Sequence, residues 1–395
     1  MDVIPAGLFW FSLLLGQLGG IPIGGGVNLY LQDIALLVLI LIAAVRMGFV
    51  QKLVHLRLFR PIALFTVIGI ASLAVNGSVY PPTVLVKGSL HLLRWIAYSA
   101  MYGVVVLSPL SFGFWIGWLV SFGIGLSAIG LAQILWYPDL RNLWYLGWDP
   151  HYYRVFATLL DPNYVGILLV LAIVATSYGA WRYRYWRVWL ALATGVMAIA
   201  LLLTYSRSSY LALLAGMGTA IIRWRLWKAG FITIMIVLIA IVYIPKPGGD
   251  TLALDRYDST VSRVQNWAQT IRRIGERPVF GYGFNVVPFL ENEEATGLPG
   301  RRGAGIDSSL LFVGVTTGLI GLMSYIWLIV RQVDVALRIK DRALGTMYIA
   351  TWMALVVHSI FVNSLFYPWV MAWMWTLSGI MARQITSDTS RGVPG

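Results

Sequence analysis

The chain has 395 residues; 59% are hydrophobic, 11% are charged, the formal net charge is +13 and there is no cysteine. A soluble domain carries about a quarter charged residues, so this composition is that of a protein crossing a membrane several times. The cysteine count excludes disulfides, thiolate metal sites and cysteine nucleophiles.

A membrane span needs about twenty mostly apolar residues. By that measure about twelve transmembrane helices are predicted, near 4–20, 28–46, 60–76, 83–107, 110–137, 162–180, 187–205, 208–223, 229–245, 307–330, 343–363 and 366–383. The expected fold is an all-α polytopic membrane protein, with residues 1–395 as a single transmembrane domain. Residues 1–20 contain Asp2 and no basic stretch ahead of the apolar run, so they read as the first span and not as a cleaved signal. The eighteen tryptophans and twenty tyrosines suit aromatic belts at the membrane surfaces.

The basic residues predict orientation. With the N-terminus in the cytoplasm, the inner loops hold Arg46, Lys52, Arg57 and Arg60, then Arg182, Arg184 and Arg187, then Arg223, Arg225 and Lys228, then Arg331, Arg338, Lys340 and Arg342. Arg383 and Arg391 follow at a cytoplasmic C-terminus. The short Ser108-Pro109 loop is the exception. The net charge is thus mostly a topology signal of a plasma-membrane protein, and no nucleic-acid partner is expected.

Two segments break the pattern, and both fall outside. The first, 138–161, contains Arg141, Asp149, His151, Arg154 and Asp161. The second, 245–306, is a large external loop, far longer than a usual connection. Its charges nearly cancel, eight basic against seven acidic. Within it Val264, Trp267, Ala268, Ile271 and Ile274 recur at helical spacing, predicting an amphipathic helix over 262–277 that lies on the membrane or on the bundle. The tail 387–395 is expected to be disordered.

Between the seventh and eighth spans stands a polar knot, Thr204-Tyr205-Ser206-Arg207-Ser208-Ser209. An arginine in hydrocarbon costs a few kcal/mol at least. Arg207 either aims at an anion from a tight turn or snorkels to the interface. Topology puts Lys87, Arg94, Arg154, Arg207 and Arg263 near the same outer face, with Asp307 as the carboxylate there. Arginine grips phosphate oxygens with paired donors, so the set suits an anionic, lipid-linked ligand.

Lys87, His91 and Arg94 share one helical face, at i, i+4 and i+7. They line a cavity, or else Lys87 snorkels and Arg94 pairs structurally. Asp307 either caps the next helix or takes a proton from an attacking hydroxyl. Burial would raise its pKa and nearby arginines would lower it. His55, His91, His151 and His358 lack partners at metal spacing, so no metal and no cofactor are expected. His151 is a reserve base or a surface histidine. Ser206, Ser208 and Ser209 lack a triad, and Gly281-Tyr282-Gly283 is too short for a nucleotide loop.

The stretch LLLTYSRSSYLALLAG resembles the signature of the O-antigen ligase and polymerase superfamily, where a span ends in Thr-x-Ser-Arg before a span rich in small residues. Three further blocks are similar in order. Arg154-Val155-Phe156-Ala157 through Asp161-Pro162-Asn163-Tyr164 is similar to the family's Arg…Asn-Pro-Asn block. Arg263…Trp267, then Arg277-Pro278-Val279-Phe280-Gly281-Tyr282-Gly283, resembles its large-loop pattern. Asp307-Ser308-Ser309-Leu310-Leu311 resembles the block entering the next span.

The resemblance implies a GT-C-like glycosyltransferase whose donor is an oligosaccharide on a polyprenyl diphosphate, presented at the outer face. Arg154, Arg207 and Arg263 would bind the diphosphate, Asp307 would be the base, and Lys87, His91, Arg94, Asn163, Tyr210, Trp267 and Ser309 are candidate cavity residues. The implied partners are that donor, a glycan or lipid-linked acceptor, and membrane lipids. Ligases of the family commonly show His-Asn where this chain has Asp307-Ser308, which favours a polymerase-like transferase over a ligase to lipid A core. Protein O-oligosaccharyltransferases share the architecture. A transporter or flippase for an anionic lipid-linked substrate is the alternative of another class.

Overall fold

The computed structural model describes residues 3–23, 27–146, 148–243, 257–294 and 305–390. Fifteen α-helices run through these residues: α1 (Val3–Leu14), α2 (Leu31–Met47), α3 (Phe49–Leu53), α4 (Phe59–Val75), α5 (Pro82–Leu107), α6 (Phe112–Trp136), α7 (Pro162–Arg182), α8 (Arg187–Leu202), α9 (Arg207–Trp224), α10 (Trp227–Tyr243), α11 (Tyr257–Glu276), α12 (Val287–Glu294), α13 (Ser309–Leu337), α14 (Arg342–Phe361) and α15 (Pro368–Ser390). Each of the twelve apolar stretches read from the sequence overlaps one of them. Six described helices are long and apolar enough to cross a membrane, and four more are apolar but shorter. The first stretch is not a continuous helix. After α1 come a 3-10 turn at Gly16–Gly19 and a two-stranded antiparallel hairpin, β1 (Gly20–Pro22) with β2 (Asn28–Tyr30).

The helix ends follow local chemistry. Asp161 caps α7, its Oδ1 accepting the Asn163 N–H at 2.7 Å, with Pro162 in the first turn. Asp341 caps α14 through the N–H groups of Ala343 and Leu344. Helices α7 and α14 are the central posts, with 72% of each apolar window buried, against 17% for the span at 184–202. Around them α9 packs on α14, α15 on α5, and α4 on α13. Outer helices present large apolar side chains such as Leu41, Trp189, Phe231 and Met323 to their surroundings, as lipid-facing helices do.

The loop helix expected over 262–277 is present as α11, Tyr257–Glu276. Thr270 is buried and Ile274 half-buried against α13, while Val264 and Ile271 are exposed. The arginines at 263, 273 and 277 are half-buried, on the side that packs. The predicted tail begins as helix, because α15 continues to Ser390; residues 391–395 lie outside the described ones, as do 244–256 and 295–304 of the large loop.

Helix α13 is broken at Gly318 (φ 69°), and the segment Pro278–Gly283 fills the break. Tyr282 and Gly283 donate their N–H groups to the Val315 and Thr316 carbonyls at 2.9 and 3.1 Å, and Leu319 donates to Pro278 O at 2.7 Å. Ser72 of α4 donates to the carbonyl oxygens of both Phe280 and Thr316. A Cβ at Gly318 would sit 2.1 Å from Val279 O, and one at Gly281 (φ 65°) 2.5 Å from Val315 O. Irregular backbone is tolerated in such a bundle because protein groups satisfy it.

Candidate functional site

The N-termini of α7, α9 and α13 meet the C-terminus of α14 at one end of the bundle, with α11 across them. The turn between α8 and α9 explains why. Tyr205 is left-handed (φ 51°), reversing the chain, and the buried Ser206 then starts α9 with Arg207 at its first position. Arg154 holds this turn from beneath. It is 7% exposed; its Nε donates to Thr204 O at 2.9 Å and a terminal nitrogen donates to Tyr205 O at 3.4 Å. Around it Tyr153, Ala157 and Leu160 also have positive φ, and Gln133 Oε1 accepts the N–H groups of Phe156 and Ala157. Such clustered backbone strain persists only where its surroundings over-determine it, often at functional sites.

Under Arg207 lies a buried polar network. Ser206 Oγ donates to Asn163 Oδ1 at 2.8 Å and accepts from Ser209 Oγ at 2.9 Å. His358 Nε2 stands 3.2 Å from Ser208 Oγ and 3.3 Å from Ser209 Oγ, while its Nδ1 is 2.8 Å from Ser364 Oγ. Four separate pieces of chain thus share one cluster. His358 is the residue the sequence reading passed over, because it bonds serines 150 and 149 positions away and no local motif signals that.

Asp307 stands beside this cluster. It is not a cap: Ser308 is the N-cap of α13, without a side-chain capping bond, and Asp307's own N–H donates to Asn266 Oδ1 at 3.4 Å. Burial raises the Asp307 pKa; the Arg263 guanidinium pulls it down and the Asp149 carboxylate pushes it up. Arg263 is also within electrostatic reach of His358. Trp267, one turn along α11, packs on Phe361 with ring centres 5.8 Å apart. Arg207, Arg263, Asp307 and Asn163 are therefore gathered around one cluster. Arg154 joins them from below, where it grips the turn. Asp161, half-buried near Arg154, has its pKa raised mainly by desolvation.

Other expected cavity residues are placed differently. The Tyr210 hydroxyl is turned back to Leu202 O, and Ser309 Oγ accepts the Leu365 N–H at 3.1 Å, so both are buried scaffold groups. Lys87 lies over the Phe289 ring at 5.0 Å. Arg94 Nη2 donates to Asp33 Oδ2 at 2.8 Å and to Asn28 O at 2.6 Å, so the structural pairing holds. Arg94 and His91 nevertheless line a cavity of about 240 Å³ on the far side of Tyr164. Tyr164 stacks on Tyr367 at 3.6 Å, and Tyr367 on Trp369 at 4.8 Å, forming one wall. Gln17 bridges the Tyr30 and Tyr367 hydroxyls at the rim, and the buried Asn363 Oδ1 has no hydrogen-bond partner among the described residues.

Three helix N-termini converge here, each carrying about half a positive charge, together with two half-buried arginines. The arrangement attracts an anion and sets a desolvated carboxylate next to it. Residues 192–326 match the O-antigen ligase family. That segment holds Arg207, Arg263 and Asp307; Arg154 and Asn163 precede it and His358 follows it. No curated protein matches the chain.

Proposed function

We propose that this chain, whose residues 192–326 match the O-antigen ligase family, is a membrane glycosyltransferase of the polymerase kind. The donor is an oligosaccharide on a polyprenyl diphosphate and the acceptor is a glycan hydroxyl. Both meet at the outer face of the plasma membrane, with the chain's termini in the cytoplasm.

The observation that carries this reading is that α11, which bears Arg263, meets Asp307 through Asn266 beside the turn that starts α9 at Arg207. The acceptor hydroxyl attacks the anomeric carbon and passes its proton to the Asp307 carboxylate. A new glycosidic C–O bond forms, the C–O bond to phosphate breaks, and its electron pair leaves with the lipid diphosphate. Arg207 and Arg263 neutralise the charge growing on that leaving group; preorganised donors in a low-dielectric site are worth several kcal/mol. Arg154 acts by fixing the turn that aims Arg207. The cavity beyond Tyr164 offers an aromatic wall for the apolar face of a sugar, and Gln17, Arg94 and Asn363 for its hydroxyls.

Aspartate in place of histidine at position 307 favours a polymerase over a lipid A core ligase or a protein O-oligosaccharyltransferase. The break in α13 favours a transport reading, since transporters place broken helices at their sites. Here, however, backbone at Pro278–Gly283 fills the break. The test is an assay in nanodiscs with a polyprenyl-diphosphate oligosaccharide and candidate glycan, lipid A core and protein acceptors. Arg207→Ala and Arg263→Ala should each lose product while remaining folded. Normal product from both variants, or donor translocation with no glycan joined, would refute the proposal.

A further inference from the structure

Arg223, at the other end of α9 from Arg207, belongs to a second basic cluster, about 25 Å away along the helix. A surface cavity of about 480 Å³ is lined there by Trp181, Arg223, Trp224, Arg225 and Arg342. Arg223 Nε donates to Thr346 Oγ1 at 3.0 Å and Arg342 donates to Arg223 O, which draws the guanidinium groups together. Arg225 is exposed, in the left-handed residue that ends α9. Among the described residues no carboxylate pairs with Arg223, Arg225 or Arg342. Neighbouring Asp341 is spent on the α14 cap and the Tyr178 hydroxyl.

A second cavity, about 300 Å³, shares Trp181 and Trp224 with the first and runs inward between α7, α9, α10 and α14. Its walls are nearly all apolar, including Ile173, Val174, Leu213, Met217 and Ala350. Trp181 and Trp224 stand 5.8 Å apart at the junction, as tryptophans do at a headgroup boundary. Helix α10 closes the slot only at Thr233 and exposes Phe231, Ile232 and Ile236. An apolar slot at membrane depth that opens under three unneutralised arginines has the charge and shape of one occupant class.

We propose that an anionic phospholipid binds here, its phosphate on Arg223, Arg225 and Arg342 and one acyl chain in the slot behind Trp181 and Trp224. Basic pockets between helices are known to hold such headgroups, and anionic lipids are abundant on the side where short basic loops gather. The bound lipid would pack α10 against the central helices α7 and α14. The site is at the far end of the bundle from Arg207 and Asp307, so it does not depend on the proposed transfer reaction.

The test is native mass spectrometry of the full chain with added phosphatidylglycerol, phosphatidylcholine or soluble glycerol phosphate. Wild-type protein should retain phosphatidylglycerol in preference to phosphatidylcholine, and glycerol phosphate should not compete. Arg225→Asn keeps a residue tolerant of the left-handed conformation. Combined with Arg342→Gln it should weaken phosphatidylglycerol binding about thirtyfold, near fivefold for each charge. Ala220→Phe fills the slot, keeps the arginines and should also weaken binding. Equal retention of the two lipids by wild-type protein overturns the proposal, as does unchanged retention in the double variant. Full competition by glycerol phosphate, or unchanged retention in Ala220→Phe, removes the acyl slot from it. Thermal unfolding of each variant without lipid shows that it is folded.

Discussion

His358 Nε2 lies 3.2 Å from the hydroxyl of Ser208, so the last turn of α14 is fastened to the first turn of α9 at the residue after Arg207. The ring also reaches Ser209, and its other nitrogen reaches Ser364. Removing the imidazole deletes its hydrogen bonds to three buried serines, which keep Ser206 Oγ and main-chain oxygens as partners; each bond is worth about 0.5–1.5 kcal/mol. His358→Ala is expected to lose about 2 kcal/mol of stability, by thermal or denaturant unfolding in detergent, and to lower glycan transfer more than donor affinity. His358→Gln, which can still bond a serine, should recover part of both. Full transfer activity in His358→Ala would show that the network does not position Arg207.

The break in α13 makes a second prediction. Gly318→Ala would push a Cβ to 2.1 Å from Val279 O and force a left-handed alanine. Overpacking costs about 1–3 kcal/mol and the left-handed conformation about 1–2 more. The variant should lose about 3 kcal/mol or expel the 278–283 segment, which faster proteolysis of the large loop would detect. Gly195→Ala, where a Cβ meets nothing within 4 Å, is the control. Equal stability of the two would mean the segment is not locked into the break.

The helices were legible because apolar runs and basic loops are written locally: twenty residues suffice to announce a span. The knot was legible for the opposite reason, as a run of polar residues in an apolar stretch. What escaped was set by contacts distant in sequence. Which residues of α11 touch the bundle was not legible: Asn266 meets Gly305 O and the Asp307 N–H, while Val264 and Ile271 stay exposed, as on a helix lying at a membrane surface. The bonds that Arg154 makes to Thr204 O and Tyr205 O, fifty positions on, were not legible either. The place of Gly281 was hidden for the same reason, because the gap it fills is made by the distant Gly318.

Arg94 and Asp33 provide a third prediction. Their side chains are 16% and 12% exposed, and Asp33 also accepts the Tyr98 hydroxyl at 2.9 Å and the Tyr30 N–H at 3.1 Å. Breaking a buried pair by removing one partner costs about 3–5 kcal/mol, because the other charge is stranded. Arg94→Met should therefore destabilise by about 3 kcal/mol, and adding Asp33→Asn should return part of it. A double-mutant cycle read by unfolding in detergent measures this. A purely additive double variant would mean the pair has no coupling of its own.

The pH dependence of transfer gives the last prediction, with a sign that distinguishes Asp307 from a bystander. A base works in its charged form, so activity is present above the Asp307 pKa and is lost as pH falls through it. Burial raises that pKa, so the acid limb should lie above the ordinary aspartate value. Asp149 raises it further and Arg263 lowers it. Asp149→Asn should therefore move the limb to lower pH, while Arg263→Gln, read on its residual turnover, should move it higher. Asp307→Asn should cut turnover about 10²- to 10⁴-fold and abolish the limb. Single-turnover rates across pH, with donor binding measured separately, decide the point. A limb unmoved by Asp149→Asn and retained in Asp307→Asn would assign the proton to another group.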